Sequence, residues 1–369
     1  MSRIILIIFI DSRRVLCEHG PEVERELNEV GMVNGNPSDH TVQLNVACQL
    51  QKWRQDAFVS LLRELIPVAL GDSVVYLRAV YIVEDNALEN TVNTIIRDIA
   101  KSTKTYEAGP NPVGAVAVPV EDTDGLGCYI VFTKKELNQL TSRNHHPLNL
   151  VSSILEELLH VRVYARTWQI RGRLWPIASD LTWKEDLFLL CTRFHDEYIV
   201  GRTKAALIST TPLGYHQGQM TTFTVFYPDS LAPILRRARN ALTQLISTAV
   251  AENAPVNTSW ITLQAIVYRG IFEPLARDAA FRDGNIEKSP IEFTGTETTF
   301  YRNTVETYWL AIHRELDRSF TSDLTEIDIA LDRMIDVLES FLAYIGITFQ
   351  LQPDDFVEIR IDPTMFPVL

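Results

Sequence analysis

The chain has 369 residues, of which 46% are hydrophobic and 22% are charged, and its formal net charge is −13. This composition is typical of a folded globular protein, and the length allows two or three domains. The negative charge argues against nucleic acid or an anionic membrane as the main partner, because both attract clustered Lys and Arg.

The first apolar run, Ile4–Ile10, is followed directly by Asp11, Arg13 and Arg14. It is too short to span a bilayer and lacks a cleavage site, so we predict a buried strand there. No later segment is apolar enough to cross a membrane. The four cysteines are scattered, without a CxxC pair or a disulfide-like density. Together these features predict a cytoplasmic protein in a reducing compartment.

The next elements alternate between helices and strands. A polar stretch at 18–39 predicts a loop with little structure. Helical spacing predicts helices over 45–70 and 87–100. Apolar and β-branched runs predict strands over 73–83, 114–120 and 128–133, the last two separated by the turn-like EDTDGLG. These elements favour an α+β fold.

A helix with Pro147 in its first turn follows, and then a break at 171–180 and a long helix over 182–208. The later elements are a strand, three helical stretches and a final strand, predicted at 221–227, 229–253, 257–281, 301–345 and 356–361. We divide the chain into an N-terminal strand and helix, a core and a mainly helical C-terminal region, with the bounds 1–70, 71–210 and 211–369.

One polar stripe lies within the helix that begins near Pro147. At 100° per residue, five polar side chains fall within about 100° of one another: Ser153, Glu156, Glu157, His160 and Tyr164. The other positions of this helix are mostly apolar or small. A solvated helix side usually mixes acids with Lys or Arg, and this stripe contains neither. We interpret the stripe as a functional site; the alternative is the wet side of an amphipathic helix.

The segment EELLH, residues 156–160, differs by one residue from HExxH. In HExxH two ligands at i and i+4 bind one metal ion, and the Glu after the first ligand is the general base. Here Glu157 has the base position, His160 the second ligand position, and Glu156 the place of the first histidine. A carboxylate there still reaches the metal, because residues i and i+4 are neighbours on a helix.

A third ligand is expected on the next long helix, where Glu197 projects on the apolar side. Burial of a carboxylate without a partner is costly, so Glu197 needs a cation. The cation is a metal ion or, as the alternative, Arg193 one turn earlier. Gly201, one turn later, allows another backbone to approach closely. His195 and Asp196 project to other faces and are weaker candidates.

With EELLH, the two strands before it and DEYIVGR after it, the chain resembles the gluzincin branch of the zinc metallopeptidases over about residues 71–208. The resemblance implies a zincin-like core in which Glu157 is the general base, His160 and Glu197 are metal ligands, and Glu156 replaces a ligand. It implies Zn²⁺ as cofactor and a peptide or protein substrate, held by β-addition to the strand at 114–120 or 128–133. Because two Glu and one His supply oxygen-rich ligands, Mn²⁺ or Fe²⁺ is an alternative.

Three functional interpretations follow. The leading hypothesis is a metal-dependent peptidase that uses Glu157 as general base. The alternative is a catalytically inactive zincin-like protein that serves as a binding or sensor module through the same cleft. A third possibility is a structural protein whose acidic stripe is plain surface. A transition-state stabiliser is not assigned; the candidates are Tyr164, Arg202, Tyr215 and His216.

Other chemistries have little support in the sequence. Glu157-x-x-His160 matches half of a di-iron carboxylate site, but no second Glu-x-x-His occurs. The chain also contains no GxxxxGK[ST], no GxGxxG after a strand and no GxSxG. Phosphate cradling and serine hydrolysis are therefore not indicated.

Overall fold

The computed structural model describes residues 29–35, 40–99, 106, 114–122, 125–140, 148–172, 183–210, 228–252, 262–284, 299–321, 324–351 and 357–361. The chain divides into two compact units, unit 1 (Met1–Leu174) and unit 2 (Trp175–Leu369). The sequence predicts three regions, with boundaries after residues 70 and 210. The strand predicted at Ile4–Ile10, the one at 221–227, and Pro147 lie outside the described residues.

Unit 1 is built on a mixed sheet with helices on both faces. Its strands are β1 (Glu29–Gly35), β2 (His40–Ala47), β3 (Leu77–Val83), β4 (Ala115–Asp122) and β5 (Gly125–Thr133). Its helices are α1 (Lys52–Leu70), α2 (Leu88–Asp98), α3 (Lys134–Leu137) and α4 (Leu148–Arg171). A 3₁₀ helix at Gly71–Tyr76 leads into β3.

The strand order in the sheet is β1-β2-β3-β5-β4. The inner strands β2, β3 and β5 are parallel to one another. The outer strands β1 and β4 are each antiparallel to their one neighbour in the sheet. Inner parallel strands are buried on both faces and therefore appear in a sequence as continuous apolar runs, as β5 does.

The two faces of the sheet pack against different helices. On one face Val116, Val118 and Val120 of β4 pack in a cluster with Val92 and Ile96 of α2. On the other face Phe58 of α1 meets Phe132 of β5, with ring centroids 5.3 Å apart. Helix α4 packs against α1 and β4, so it shares this second face. Successive side chains of a strand alternate between faces, so Ala115 and Ala117 of β4 face α4.

The sequence prediction for unit 1 is confirmed for α2, α4, β4 and β5, with bounds shifted by a few residues. It is wrong in three places. The loop predicted at 18–39 contains β1, which pairs antiparallel with β2. The helix predicted from Asn45 begins at Lys52, because Asn45 belongs to β2. The strand predicted from Ser73 begins at Leu77. Strand pairing outweighs local propensity in β1 and β2, whereas the residues before Leu77 belong to the 3₁₀ helix.

Unit 2 is mainly helical, as predicted. Its helices are α5 (Trp183–Thr210), α6 (Pro228–Glu252), α7 (Glu273–Gly284), α8 (Glu306–Thr321) and α9 (Leu324–Tyr344). π-Helical segments at Ile266–Phe272 and Tyr301–Val305 precede α7 and α8. The strands β6 (Ile347–Leu351) and β7 (Val357–Ile361) form an antiparallel pair.

The single helix predicted at 301–345 is two helices, α8 and α9, and β6 was not predicted. An aromatic cluster joins α5, the segment Ile266–Phe272 and α9. Phe272 lies between Phe194 and Phe341, with ring centroids 5.5 Å and 5.2 Å away. The chain is therefore an α+β protein, with a mixed sheet in unit 1 and a helical unit 2.

Candidate functional site

Helix α4 lies along β4 and β5. Near its beginning, Ser153 hydrogen bonds to Glu136 of α3, the short helix that follows β5. Near its end, Trp168 lies 3.8 Å from the position of a Cβ built on Gly125, the first residue of β5. Helix α4 therefore runs antiparallel to β5 and parallel to β4. His160 lies halfway between Ser153 and Trp168, level with the middle of β4.

The polar stripe is not the solvent side of α4. His160 is 8% exposed and Tyr164 is 3% exposed. Glu156 and Glu157 are half-buried, as is Ser153. Two exposed residues of α4, Arg162 and Gln169, lie at about 220–240° from Glu156 around the helix, on the opposite side, whereas the exposed Asn149 in the first turn lies at about 20°. From Ser153 to Tyr164 the stripe therefore lacks the exposure that the wet side of an amphipathic helix would have.

His160 carries a buried nitrogen that is available to a ligand. Within the part of the chain that the structure describes, its Nδ1 has no hydrogen-bond partner. The imidazole stacks on the Tyr164 ring, with centroids 6.0 Å apart and planes at 22°. Buried polar atoms in folded proteins are nearly always paired, and imidazole nitrogens are frequent metal ligands. His160 is thus the stripe residue whose surroundings most favour binding.

Glu136 adds a carboxylate that the sequence analysis does not single out. Gln139 Nε2 donates a hydrogen bond to Glu136 Oε2 at 2.7 Å, and Ser153 bonds to the same carboxylate. Burial raises the pKa of the Glu136 carboxyl, although these two hydrogen bonds lower it in part. Its side chain lies against Gly114, where a Cβ would overlap it. A lone Glu after a strand gives no signal in the sequence, because these contacts are tertiary.

Glu197 lies in unit 2, on α5, and is 8% exposed, so the prediction of a buried carboxylate is confirmed. Arg277 of α7 forms an ion pair with it, and the Arg277 Nε lies 2.9 Å from Glu197 Oε2. Arg193, the cation named as the alternative, lies over the Tyr268 ring, 5.2 Å from its centroid. The prediction at Gly201 was an approaching backbone; the neighbour is the Ala280 side chain of α7, and a Cβ on Gly201 would lie 2.9 Å from the Ala280 Cβ.

Arg277 is shared between two buried carboxylates. Its Nη2 lies 3.0 Å from Oε1 of Glu273, one turn earlier on α7. Burial raises the pKa of Glu273 to about 7; Arg277 lowers this pKa and the charge of Glu197 raises it. The i, i+4 spacing of Glu273 and Arg277 is a signal that the sequence analysis missed. Their contact with Glu197 follows only from the packing of α5 on α7.

A second polar cluster in unit 2 joins α5, α7 and α8. Tyr198 donates a hydrogen bond from its hydroxyl to Asp283 Oδ2 at 2.6 Å, and His313 Nε2 lies 2.8 Å from the same oxygen. Arg202 Nη1 donates to the Tyr198 hydroxyl at 2.8 Å and to Asp317 at 2.5 Å. Arg202, one candidate for a transition-state stabiliser, is therefore engaged within the helix packing of unit 2.

The predicted metal ligands are distributed over both units. Glu156, Glu157 and His160 lie on α4 of unit 1, and Glu197 lies on α5 of unit 2. The described residues contain no group of three or more His, Cys, Asp or Glu side chains that could hold a metal ion. Tyr215 and His216 lie outside the described residues. In the described part of the chain, no helix combines the length and the apolar character needed to span a bilayer.

Comparison with known proteins does not assign the chain to a family. It matches no protein-family model, no curated protein and no solved structure. The resemblance to gluzincins therefore depends on the motifs and elements of this chain alone.

Proposed function

We propose that unit 1 is a zincin-like module that binds an extended peptide along β4, beside the polar stripe of α4. One observation carries this proposal: among the strands that the structure describes, β4 is the last of the sheet and pairs only with β5, and α4 runs parallel to it on the face of Ala115 and Ala117. An edge strand offers unpaired backbone groups to which an extended peptide adds as a further strand. Of the two strands considered from the sequence, β5 is paired on both sides, which favours β4.

The register of β4 identifies the backbone groups that are directed away from β5. Thr133 N donates to Gly114 O at 2.8 Å, so residues 114 and 133 form a hydrogen-bonded pair. Hydrogen-bonded and non-hydrogen-bonded pairs alternate in an antiparallel ladder. The backbone groups of Ala115, Ala117, Pro119 and Glu121 therefore point away from β5, where a peptide would pair with them.

The buried ion pair of Glu197 favours a binding module over a metal enzyme. Arg277 already neutralises the carboxylate that the resemblance assigns to the metal. The first position of the motif holds Glu156 in place of histidine. A peptide-binding role requires neither ligand, because main-chain hydrogen bonds to an edge strand supply the affinity.

We expect Ala117→Pro to weaken peptide binding by about tenfold or more, because it removes one outward N–H and adds a ring where the peptide docks. The bonds between β4 and β5 are retained, since Ala117 belongs to a non-hydrogen-bonded pair. Fluorescence anisotropy with a labelled, end-blocked peptide of alternating Thr and Val with a terminal Lys measures this effect. Ala117→Gly, which retains the N–H, is the matched control. Equal affinity of wild type and Ala117→Pro would exclude β4 as the docking strand.

The second candidate is the metal-dependent peptidase, and the unpaired Nδ1 of buried His160 favours it. In this proposal His160 is a ligand of Zn²⁺, Mn²⁺ or Fe²⁺, and the neighbouring Glu157 is the general base. Glu156 is a further oxygen ligand on the same helix. The ion would supply Lewis acidity for hydrolysis of a peptide bond. The ligand role of Glu197 requires it to leave its ion pair with Arg277.

Metal analysis distinguishes the two candidates. For the peptidase we expect near-stoichiometric metal in the wild type and its loss in His160→Ala, measured by plasma mass spectrometry. Glu157→Gln should retain the metal and lose hydrolysis of a peptide library. Glu197→Gln separates a ligand from a structural ion pair, because only a ligand changes the metal content. A wild type that stays metal-free after incubation with each ion contradicts the peptidase and leaves the binding module.

A further inference from the structure

Helix α6 and the π-helical segment Ile266–Phe272 differ in charge from the rest of the chain. Residues 230–251 and 262–272 contain four Arg and no Asp, Glu or Lys, although the formal net charge of the whole chain is −13. The two elements pack closely, since a Cβ built on Gly270 would lie 2.7 Å from the Ala238 Cβ. The packing therefore brings together two stretches that carry positive charge only.

Three of these arginines lie beside the contact between the two elements. Arg237 and Arg239 flank Ala238 on α6, and Arg269 directly precedes Gly270. Arg237 is exposed, and the other two are half-buried. In the part of the chain that the structure describes, none of the three side chains forms a hydrogen bond or an ion pair, whereas the fourth arginine has an interaction of its own. Three guanidinium groups thus retain their donors.

The acid that follows Arg269 on the same side of the helix is paired elsewhere. Glu273 lies one turn later, close enough for the Arg269 charge to act on its carboxyl. Its Oε1, however, lies 3.0 Å from Arg277 Nη2, and Arg277 also pairs with Glu197. Strand β7, which also contacts α6, carries one acid and one base and adds no net charge. The positive charge beside Ala238 is therefore not balanced by these neighbours.

We propose that Arg237, Arg239 and Arg269 form an arginine patch that binds a short acidic peptide of a partner protein. A guanidinium group presents parallel N–H donors that match the two oxygens of a carboxylate. Arg269 belongs to a π-helical segment, a geometry that is frequent at functional sites. The patch lies in unit 2 and includes no residue of α4 or β4, so this proposal is independent of the proposed function.

The net charge of the chain favours a short peptide over a polyanion. Attraction between exposed charges extends over about 8 Å at physiological ionic strength. A short peptide that stays over the patch therefore interacts mainly with the three arginines. Nucleic acid or an anionic membrane extends well beyond this distance and is repelled by the remainder of a chain whose net charge is −13.

Fluorescence anisotropy with a labelled, end-blocked peptide of alternating Glu and Ser tests the patch. For Arg269→Gln we expect binding about twofold to fivefold weaker than that of the wild type, the effect of one exposed charge pair. For Arg237→Gln/Arg239→Gln/Arg269→Gln we expect a loss of about tenfold or more. Arg302→Gln, at an exposed position of the other π-helical segment, is the matched control and should bind as the wild type does.

The possible outcomes are distinct. Absence of peptide binding to the wild type overturns the proposal, as does equal affinity of the wild type and the triple variant. An equal loss in Arg302→Gln would mean that only the net charge matters, and it also overturns the patch. Tighter binding of a single-stranded RNA or of anionic lipid vesicles, dependent on the same arginines, overturns the choice of a peptide.

The variants are expected to fold, because no described side-chain bond of Arg237, Arg239 or Arg269 is lost. Circular dichroism and thermal unfolding check this expectation. If the triple variant does not fold, the three single variants give the comparison. Loss of peptide binding in these variants leaves the test of Ala117→Pro unaffected, so the patch and the docking strand are tested separately.

Discussion

Arg277→Met is expected to lower the free energy of unfolding by about 3–5 kcal/mol, the range found when one partner of a buried ion pair is removed. The reason lies in the carboxylates that remain. Glu197 and Glu273 are 8% and 9% exposed, and both contact the Arg277 guanidinium. Without it, the two buried carboxylates retain only the weaker attraction of Arg269 and Arg193, so one tends to take up a proton or both gain water. Urea denaturation at neutral pH, followed by circular dichroism, measures the loss.

The matched control is Arg97→Met. Arg97 Nε pairs with Asp98 Oδ1 at 2.7 Å, but both side chains are more than half exposed. Exposed pairs contribute about 0–1 kcal/mol, so this variant should unfold close to the wild type. Equal, small losses in both variants would show that the carboxylates on α5 and α7 are solvated. A large loss confined to Arg277→Met would establish the shared guanidinium as a structural centre of unit 2.

This test also bears on the metal hypothesis. If Glu197 served as a metal ligand, a bound metal ion would be a second cation for its carboxylate. Added metal would then reduce the loss in free energy of unfolding that Arg277→Met causes. We therefore expect the loss to be the same with and without added Zn²⁺ if Glu197 is only the partner of Arg277. Glu197→Gln with Arg277 intact removes the carboxylate instead of the guanidinium, and its free energy of unfolding is compared with that of Arg277→Met.

The sequence predicts a helix or strand well where the apolar residues follow one regular spacing. Helix α4 and strand β5 were predicted because their apolar positions repeat without interruption. Strand β1 was missed because its polar residues gain their structure from pairing with β2. The edge position of β4 depends on the order of the strands, and nothing local to its residues specifies that order.

The same division holds for the candidate site. The shared stripe of Glu157 and His160 follows from helical spacing alone. Its burial does not, because an identical stripe on a solvent-facing helix would have the same sequence. The burial of Glu197 was predicted from its apolar neighbours, whereas its partner Arg277 lies 80 positions later on another helix. The partner of a buried charge is set by contacts between helices that are distant in sequence. A single sequence does not specify those contacts.

Glu273→Gln is expected to stabilise the protein increasingly as the pH rises from about 4.5 to about 7. The pKa of this carboxyl is raised from 4.5 to about 7 in the fold, first because of burial. In that pH range the folded protein retains a proton that the unfolded chain releases, so the free energy of unfolding of the wild type falls with pH. Above about pH 7 the loss is constant and on the order of 3 kcal/mol. Glutamine has no titrating proton, so the variant lacks this slope.

Urea denaturation of both proteins at pH 5, 6, 7 and 8 gives the comparison. The advantage of Glu273→Gln should grow with pH and level off near pH 8. Glu64→Gln, at an exposed position on α1, is the matched control for the change from Glu to Gln itself. A constant difference between wild type and Glu273→Gln at all four pH values would mean that Glu273 is ionised throughout and that Arg277 compensates both carboxylates. A growing difference would mean that Glu273 carries the proton at acidic pH and Arg277 serves Glu197, because one guanidinium stabilises one buried charge more fully than two.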